Sequence, residues 1–237
     1  MRILPVLDIM DGQVVRGIGG RRQEYRPVLS KLTASGRPVD VARAFCDTFG
    51  FRELYLADLD AIAGGPPALA VYAEVQALGF DLWVDAGIRE ASMAEPLAHV
   101  GVQRIVIGLE TAAAGAVADA CREWGGQRVV FSLDLKDGRP LGNPAADAWL
   151  IAERAIADGV RSLIVLDLAR VGMDHGVGTE SLCGRLAAAY PDVEVVAGGG
   201  VRDIGGLKRL KDLGVRAVLV ASALHDGRLR PEDLVQL

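Results

Sequence analysis

Short apolar runs, many of them rich in β-branched residues, alternate along the chain with longer stretches whose apolar residues recur at helical spacing. Apolar runs of this length between polar or glycine-containing turns are typical of strands, and the intervening stretches are typical of helices. The pattern predicts eight strands, near 3–7, 54–57, 82–85, 104–107, 129–133, 162–166, 194–197 and 217–220. It predicts helices within 41–45, 68–78, 92–99, 112–124, 147–158, 180–189 and 206–213.

The chain also repeats itself. ILPVLDIMDG (3–12) returns as VVFSLDLKDG (129–138), and WVDAGIRE (83–90) returns as VAGGGVRD (196–203). Alternating strands and helices imply parallel pairing through crossover helices, so the α/β pattern and its repeat favour one (β/α)₈ TIM barrel over residues 1–237, with half-barrels at about 1–125 and 126–237. An open doubly wound sheet is the alternative, but its GxGxxG signature is missing after the first strand.

Composition narrows the class of protein. With 237 residues and 51% hydrophobic content the chain can bury one large core, and its net charge of −5 argues against general nucleic-acid binding. No apolar run is long enough to span a membrane, and charges come too early for a signal peptide, so we expect a cytoplasmic protein. The three cysteines form no CxxC pair, which argues against a metal site or a disulfide.

Aspartates follow four of the predicted strands, at the end of a barrel where catalytic groups lie. A lone aspartate after a strand is commonly a helix cap or turn former. Because the repeat places Asp8 and Asp134 at matching positions of strands one and five, we predict that these two are the catalytic acid and base. Three further residues are predicted as substrate contacts, namely Asp58, Asp167 and His175.

Glycines or small residues end strands three, four, seven and eight. Such turns either close tightly or bring backbone N–H groups against a ligand, and their duplication predicts a phosphate site in each half. The predicted substrate and phosphate contacts are Arg16, Gly87, Gly108, Gly199, Gly200, Ala221 and Ser222. The cation-rich loop 19–32 is either a cover that binds an anionic group or an ordinary polar loop.

Five motifs in order, LPVLDIMDGQVVRG, ADLDAIAGG, VDAGIR, FSLDLKDG and AGGGVRD, resemble the histidine-biosynthesis barrel family over nearly the whole chain. The resemblance implies a (β/α)₈ fold, a small substrate with a phosphate at each end, and no metal or other cofactor. Within the family the motifs at strands two and five are similar to the isomerase rather than to the cyclase. The implied reaction is then an Amadori rearrangement, with Asp134 as the general acid that opens the ribose ring and Asp8 as the base at C2.

Other positions depart from the isomerase pattern. Leu166 stands where that pattern has a threonine, Leu109 and Glu110 follow Gly108 in place of a small hydroxyl residue, and the glycine–tryptophan pair after strand five is absent. Three functions stay open: the histidine-pathway isomerase, a paralogous isomerase or lyase in cofactor biosynthesis, for example of a pterin-type one-carbon carrier, and a non-catalytic barrel that binds a phosphorylated ligand. No nucleic acid, membrane or obligatory protein partner is predicted, whereas the cyclase would require a glutaminase.

Overall fold

The computed structural model describes residues 1–173, 176–235 and 237. Eight parallel strands within these residues close into a barrel, because the first strand pairs with both the second and the last, and Arg2 to Pro5 lie opposite Ala217 to Val220. The barrel strands are β1 (Arg2–Met10), β2 (Glu53–Asp58), β3 (Asp81–Asp85), β4 (Arg104–Gly108), β5 (Val129–Lys136), β6 (Ser162–Asp167), β7 (Glu194–Gly198) and β8 (Ala217–Val220).

Helices connect the strands and cover the outside of the barrel. They are α1 (Pro38–Phe49), α2 (Leu69–Gln76), α3 (Glu95–His99), α4 (Ala116–Trp124), α5 (Ala148–Ala157), α6 (Glu180–Ala189), α7 (Ile204–Asp212) and α8 (Pro231–Leu234). Short helical turns follow several strands, at Arg22–Glu24, Leu59–Ile62, Ala91–Ala94, Leu168–Arg170 and Ser222–His225. The predicted (β/α)₈ barrel is therefore confirmed, while its division into two half-barrels stays a prediction.

The sheet separates two apolar cores. The larger lies between strands and helices, where α1 for example buries Val41, Ala42 and Phe45. The smaller fills the inside of the barrel, where Leu4 and Val6 of β1 meet inward residues of the other strands. Because side chains alternate between the two faces of a strand, each barrel strand divides its residues between these cores. None of the described helices has the length and apolar character that crossing a membrane requires.

Charged and aromatic side chains close the amino-terminal end of the barrel. Arg2 pairs with Glu53 of β2 and Glu194 of β7, and the guanidinium groups of Arg2 and Arg104 lie over the ring of Trp83, at 5.9 and 4.8 Å from its centroid. Cation–π contacts of this kind stabilise partly buried arginine side chains. The end that remains open is therefore the carboxyl-terminal one.

Tight hairpins follow strands β1 and β5. Asp11 and Asp137 have φ angles of 51° and 52°, a left-handed conformation that aspartate tolerates better than most residues do. After β1 the chain returns as the strand Gln13–Arg16, and after β5 it returns as the strand Arg139–Pro140. Asp11 and Asp137 are therefore turn residues, and each lies three residues beyond an aspartate of the predicted pair.

Asp58 anchors the connection between β2 and α2. Its side chain accepts hydrogen bonds from the N–H groups of Ala61 (3.1 Å) and Ala68 (2.9 Å) and from the Tyr72 hydroxyl (2.5 Å). Both Asp58 and Tyr72 are buried, so water cannot replace the hydroxyl if it is removed.

We therefore expect Tyr72→Phe to lower the free energy of unfolding by about 1–3 kcal/mol, the usual cost of leaving a buried hydrogen-bonding group with fewer partners. Urea denaturation followed by circular dichroism measures this change. Tyr190→Phe is the matched control, because the Tyr190 hydroxyl donates to Glu153 near the surface, where water can replace it. Equal losses in the two variants would contradict the anchoring role of Asp58.

Candidate active site

Three aspartates point into the open end of the barrel. In β1 the inward positions run Leu4, Val6, Asp8, and in β3 Trp83 is followed two residues later by Asp85. Asp8 and Asp85 lie at the same level, since each pairs in register with Ala57 of the intervening strand β2. Asp134 comes from β5, four strands from β1 and hence across the barrel from Asp8.

Asp134 is held by two hydrogen bonds. Its Oδ1 accepts from the Ser132 hydroxyl at 2.7 Å, and its Oδ2 accepts from the Glu110 N–H at 3.3 Å. The residue is 6% exposed, and burial, reinforced by the nearby Asp85, raises the pKa of Asp134 to about 7 although the two hydrogen bonds oppose the change. A carboxyl group with this pKa can donate a proton at neutral pH.

Asp8 lies opposite, beneath the loop that follows β1. A Cβ on Gly17 would lie 3.2 Å from Asp8 Oδ2 and 3.6 Å from the Tyr25 hydroxyl, so both groups lie next to Gly17. Burial raises the pKa of Asp8 to about 7; Arg22 works against the change and Asp85 adds to it. Burial and the neighbouring Asp8 also raise the pKa of Tyr25 to about 12, so its hydroxyl stays protonated.

Asp85 is a site residue that the sequence analysis missed. Its Oδ1 accepts from the Gly87 N–H at 3.0 Å, it is hydrogen-bonded to Tyr55, and burial raises its pKa to about 6. The signal was present in the sequence, because Asp85 ends an apolar strand as Asp8 and Asp134 do. The repeat concealed it, since the residue at the matching position of the second half is Gly198.

Gly108 makes room for this group of carboxylates. A Cβ at this position would stand 2.9 Å from Asp134 Oδ2 and 3.5 Å from Asp85 Oδ2. The first distance is shorter than a carbon atom tolerates, so any side chain would displace Asp134. The structure thus gives a steric reason for glycine at position 108. Its contact with a substrate phosphate stays a prediction.

The three aspartates line a cavity of about 290 Å³ at the carboxyl-terminal mouth of the barrel. Residues after β7 and β8 line its other side, among them the predicted contacts Gly199, Gly200, Ala221 and Ser222. Gly199 and Gly200 have φ angles of 88° and 78°, and a Cβ on either would come within 2.6 Å of a backbone oxygen. Only glycine fits this turn, which leaves its backbone exposed to the cavity.

Asp58 and Asp167 face away from the cavity. Each occupies the strand position next to an inward residue, so its side chain turns toward the loops and caps a short helical turn. Asp167 accepts from the N–H groups of Asp137 (3.1 Å), Gly138 (2.8 Å) and Ala169 (3.0 Å). In the structure both aspartates cap helical turns and lie outside the cavity lining, and their contact with a substrate stays a prediction.

Two other predicted contacts also lie outside the cavity lining. Gly87 packs against α-helical backbone, where a Cβ would stand 2.6 Å from Ile62 Cα, and Arg16 forms a two-pronged ion pair with Asp226 at 3.0 and 3.1 Å. The guanidinium of Arg16 is thus engaged in bracing the loop after β8. His175 lies outside the described residues.

Within the described ranges, no group of three or more histidine, cysteine, aspartate or glutamate side chains has the arrangement that holds a metal ion. The cysteines there are free thiols: Cys46 and Cys121 are half-buried and Cys183 is buried. Among the described residues, the ionisable groups that line the cavity are four carboxyl groups, the phenols of Tyr25 and Tyr55, and the guanidinium of Arg22.

Comparison of the chain with known proteins identifies its family. The family model described as histidine biosynthesis protein matches residues 2–230. The chain belongs to this family. The resemblance carried by the five sequence motifs is therefore confirmed.

Two similar members of the family are named 1-(5-phosphoribosyl)-5-((5-phosphoribosylamino)methylideneamino) imidazole-4-carboxamide isomerase. The one from Marinobacter nauticus is 31% identical over 97% of this chain and 94% of its own length. The one from Thioalkalivibrio sulfidiphilus is 33% identical over 97% of this chain and 96% of its own. An uncharacterised protein of Methanocaldococcus jannaschii is 31% identical over 99% and 98% of the two chains. The family thus includes an isomerase whose length this chain matches.

The raised pKa of Asp8 predicts how this family member responds to pH. The pKa of an aspartate in an unfolded chain is about 3.9, so between about pH 4 and pH 7 the folded protein binds more protons at Asp8 than the unfolded chain does. Its ionisation cost therefore destabilises the fold increasingly as pH rises through this window.

We expect Asp8→Asn to raise the free energy of unfolding at pH 8 by about 1–2 kcal/mol. This is less than the full pKa difference would give, because part of the Asp8 side chain still meets solvent. The gain should shrink to near zero at pH 4. Urea denaturation at both values measures it, with the exposed loop substitution Asp192→Asn as control. A gain that is the same at both pH values would show that ionisation of Asp8 is not its source.

Proposed function

We propose that the protein is an aldose–ketose isomerase that carries out the Amadori rearrangement of the phosphoribosyl imidazole carboxamide ribotide for which its relatives are named. One observation carries the proposal: Asp8 and Asp134 face each other across the cavity, and burial raises the pKa of each to about 7. Two carboxyl groups that exchange protons near neutral pH suit a reaction that moves only protons.

Asp134 serves as the general acid in the first step. It gives its proton to the ribose ring oxygen as the bond between that oxygen and C1 breaks, while the nitrogen lone pair forms a double bond to C1. The Ser132 hydroxyl and the Glu110 N–H hold the carboxyl group and stabilise the carboxylate left behind. The ring opens without any change of oxidation state in the protein.

Asp8 serves as the general base in the second step. It takes the proton from C2, and the electron pair of that bond moves to form a double bond between C1 and C2 while the C1–N double bond becomes single. Return of a proton to C1 and loss of the hydroxyl proton at C2 then give the aminoketose. The Tyr25 hydroxyl, which lies next to Gly17 as Asp8 does, stays neutral and adds no charge that would compete with the base.

The glycine turn after β7 supports the binding of one phosphate. Gly199, Gly200, Ala221 and Ser222 line one side of the cavity, where backbone N–H groups and a hydroxyl are suitable partners for an anion. Gly108, at the matching position across the mouth, belongs to the opposite end of a substrate with two phosphates. Arg16 and Gly87 would act on these ends only through the loops that they support.

The reaction proposed here needs no redox cofactor and no metal, since every step transfers a proton between the substrate and a carboxyl group. We infer further that the enzyme works in the cytoplasm on a small phosphorylated substrate and has no obligatory protein partner. Net charge and the acidic cavity both disfavour a nucleic acid as ligand.

A specific observation favours a second candidate. Leu166 lines the cavity at the position where the resemblance implies a threonine hydroxyl, and Glu110 adds a carboxylate to the mouth. A hydrophobic side chain and an extra negative charge alter recognition without touching the catalytic pair. A paralogous isomerase acting on another phosphorylated amino sugar is therefore the alternative substrate assignment.

Turnover of the ribotide by the purified protein tests the proposal. We expect Asp8→Asn and Asp134→Asn each to lower kcat by about 10²–10⁴-fold, the usual contribution of a positioned acid or base. Asp11→Asn and Asp137→Asn are matched controls, because each lies three residues beyond a catalytic aspartate, and asparagine accepts their left-handed turns. These controls should retain activity.

Loss of activity in the turn variants but not in the catalytic ones would contradict the assignment. Folded protein that fails to turn over the ribotide, yet isomerises another phosphorylated amino sugar in a manner dependent on Asp8 and Asp134, would support the paralogue. Binding of such ligands with no turnover at all would identify a non-catalytic barrel.

A further inference from the structure

Among the described residues that line the cavity, Arg22 is the only cation. The lining also holds four carboxylates, from Asp8, Asp85, Glu110 and Asp134. A phosphate group brings up to two more negative charges into this space, and like charges in a poorly solvated cavity repel strongly. Binding of a doubly phosphorylated substrate therefore requires a compensating positive charge or a set of free N–H donors.

Backbone donors are free where the turns after β7 and β8 line the cavity. No described residue accepts a hydrogen bond from the N–H groups of Gly199, Gly200 or Ser222. After β4, by contrast, successive N–H groups are already bonded within the protein: Leu109 to Ser132 O, Glu110 to Asp134 Oδ2, Thr111 to Gly108 O and Ala112 to Gly108 O. The turn after β4 thus has no backbone cradle to match the one after β7.

An ion pair occupies the place of that cradle. Arg22 Nη2 lies 2.6 Å from Glu110 Oε2, which joins the loop after β1 to the loop after β4 at the mouth of the cavity. The side chains are 34% and 38% exposed, so the pair is solvated and contributes little to stability. Tyr25, three residues beyond Arg22, is 6% exposed and packed in the inner core, and it keeps this loop at the mouth.

We propose that Arg22 binds the substrate phosphate at the β4 side of the cavity, and that the Glu110 carboxylate holds the place of this phosphate until the ligand displaces it. A phosphate dianion presents more charge and more acceptor oxygens to a guanidinium than a carboxylate does, so the exchange favours the ligand. The displaced Glu110 side chain can turn into solvent. Thr111, which also lines the cavity, offers a hydroxyl to the same phosphate.

The inference rests on the proposed function, because it assumes a substrate with a phosphate at each end. It gives the two ends of the cavity different means of holding those phosphates. Free N–H groups serve after β7 and β8, and a side-chain cation from the loop after β1 serves at the β4 side. Arg21, the neighbour of Arg22, takes no part, since it pairs with Glu24 at 2.8 Å and does not line the cavity.

Isothermal titration of the ribotide into Asp8→Asn protein separates binding from turnover. In this background Arg22→Gln should weaken binding by about tenfold or more, as expected for loss of one charge-assisted contact, whereas Glu110→Gln should tighten binding by about threefold or more because it removes a competing charge. The double variant should resemble Arg22→Gln, since Glu110 acts through Arg22. Arg21→Gln and Glu24→Gln, which break the adjacent exposed ion pair, are the matched controls.

The opposite signs of the two effects make the test decisive. If Glu110→Gln weakens binding as Arg22→Gln does, the ion pair is a brace for the loop and the proposal is wrong. Unchanged affinity in Arg22→Gln would overturn it as well.

A second titration, with inorganic phosphate and the wild-type protein, removes any dependence on the sugar. We expect Arg22→Gln to weaken phosphate binding and Glu110→Gln to tighten it. If both changes are seen but the ribotide neither binds nor reacts, the proposed substrate is wrong and the phosphate site is supported. Phosphate binding that ignores both substitutions would remove the site whatever the ribotide does.

Discussion

Closure of eight parallel strands into a barrel is the constraint on which the site depends. Successive residues of a strand face opposite sides of the sheet, and in a closed barrel one side is the interior. In β1 this alternation carries the inward series Leu4, Val6 directly to Asp8. Asp58, one residue beyond the inward Ala57, faces the loops instead and becomes a cap. A single step along the strand therefore separates a group that can meet substrate from one that holds the scaffold.

The same geometry concentrates like charges. Asp8, Asp85 and Asp134 reach one cavity from three strands, and burial raises the pKa of each. Such a cluster opposes folding when it is ionised, but the raised pKa values allow carboxyl groups to give and take protons near neutral pH. The cluster also requires glycine at position 108, because any side chain there would collide with Asp134. The cost to stability and the capacity for acid–base chemistry have one physical origin.

Membership of the histidine biosynthesis family is visible in the scaffold, whereas the departures from the isomerase pattern lie on the cavity surface. The scaffold, the two opposed aspartates and Asp85 of the VDAGIR motif agree with the resemblance, whereas Glu110 and Leu166 change the surface that a substrate meets. Their effect is to make the two sides of the cavity unlike in charge, with a glycine turn on one side and carboxylates with Arg22 on the other. Differences of this kind alter recognition more readily than they alter the type of reaction.

The sequence by itself determined the eight strands, the barrel, the family and the opposed pair Asp8 and Asp134, because periodicity, internal repetition and motif order are all properties of the linear chain. It did not show that Asp58 and Asp167 lie outside the cavity lining, although each stands one residue beyond an inward-facing position and so on the other face of its strand. Only the tertiary structure brought Asp85 to the cavity that Asp8 and Asp134 line, and Arg22 to Glu110. These contacts join segments far apart in the chain, and their distances, burial and charge exist only once the barrel has closed.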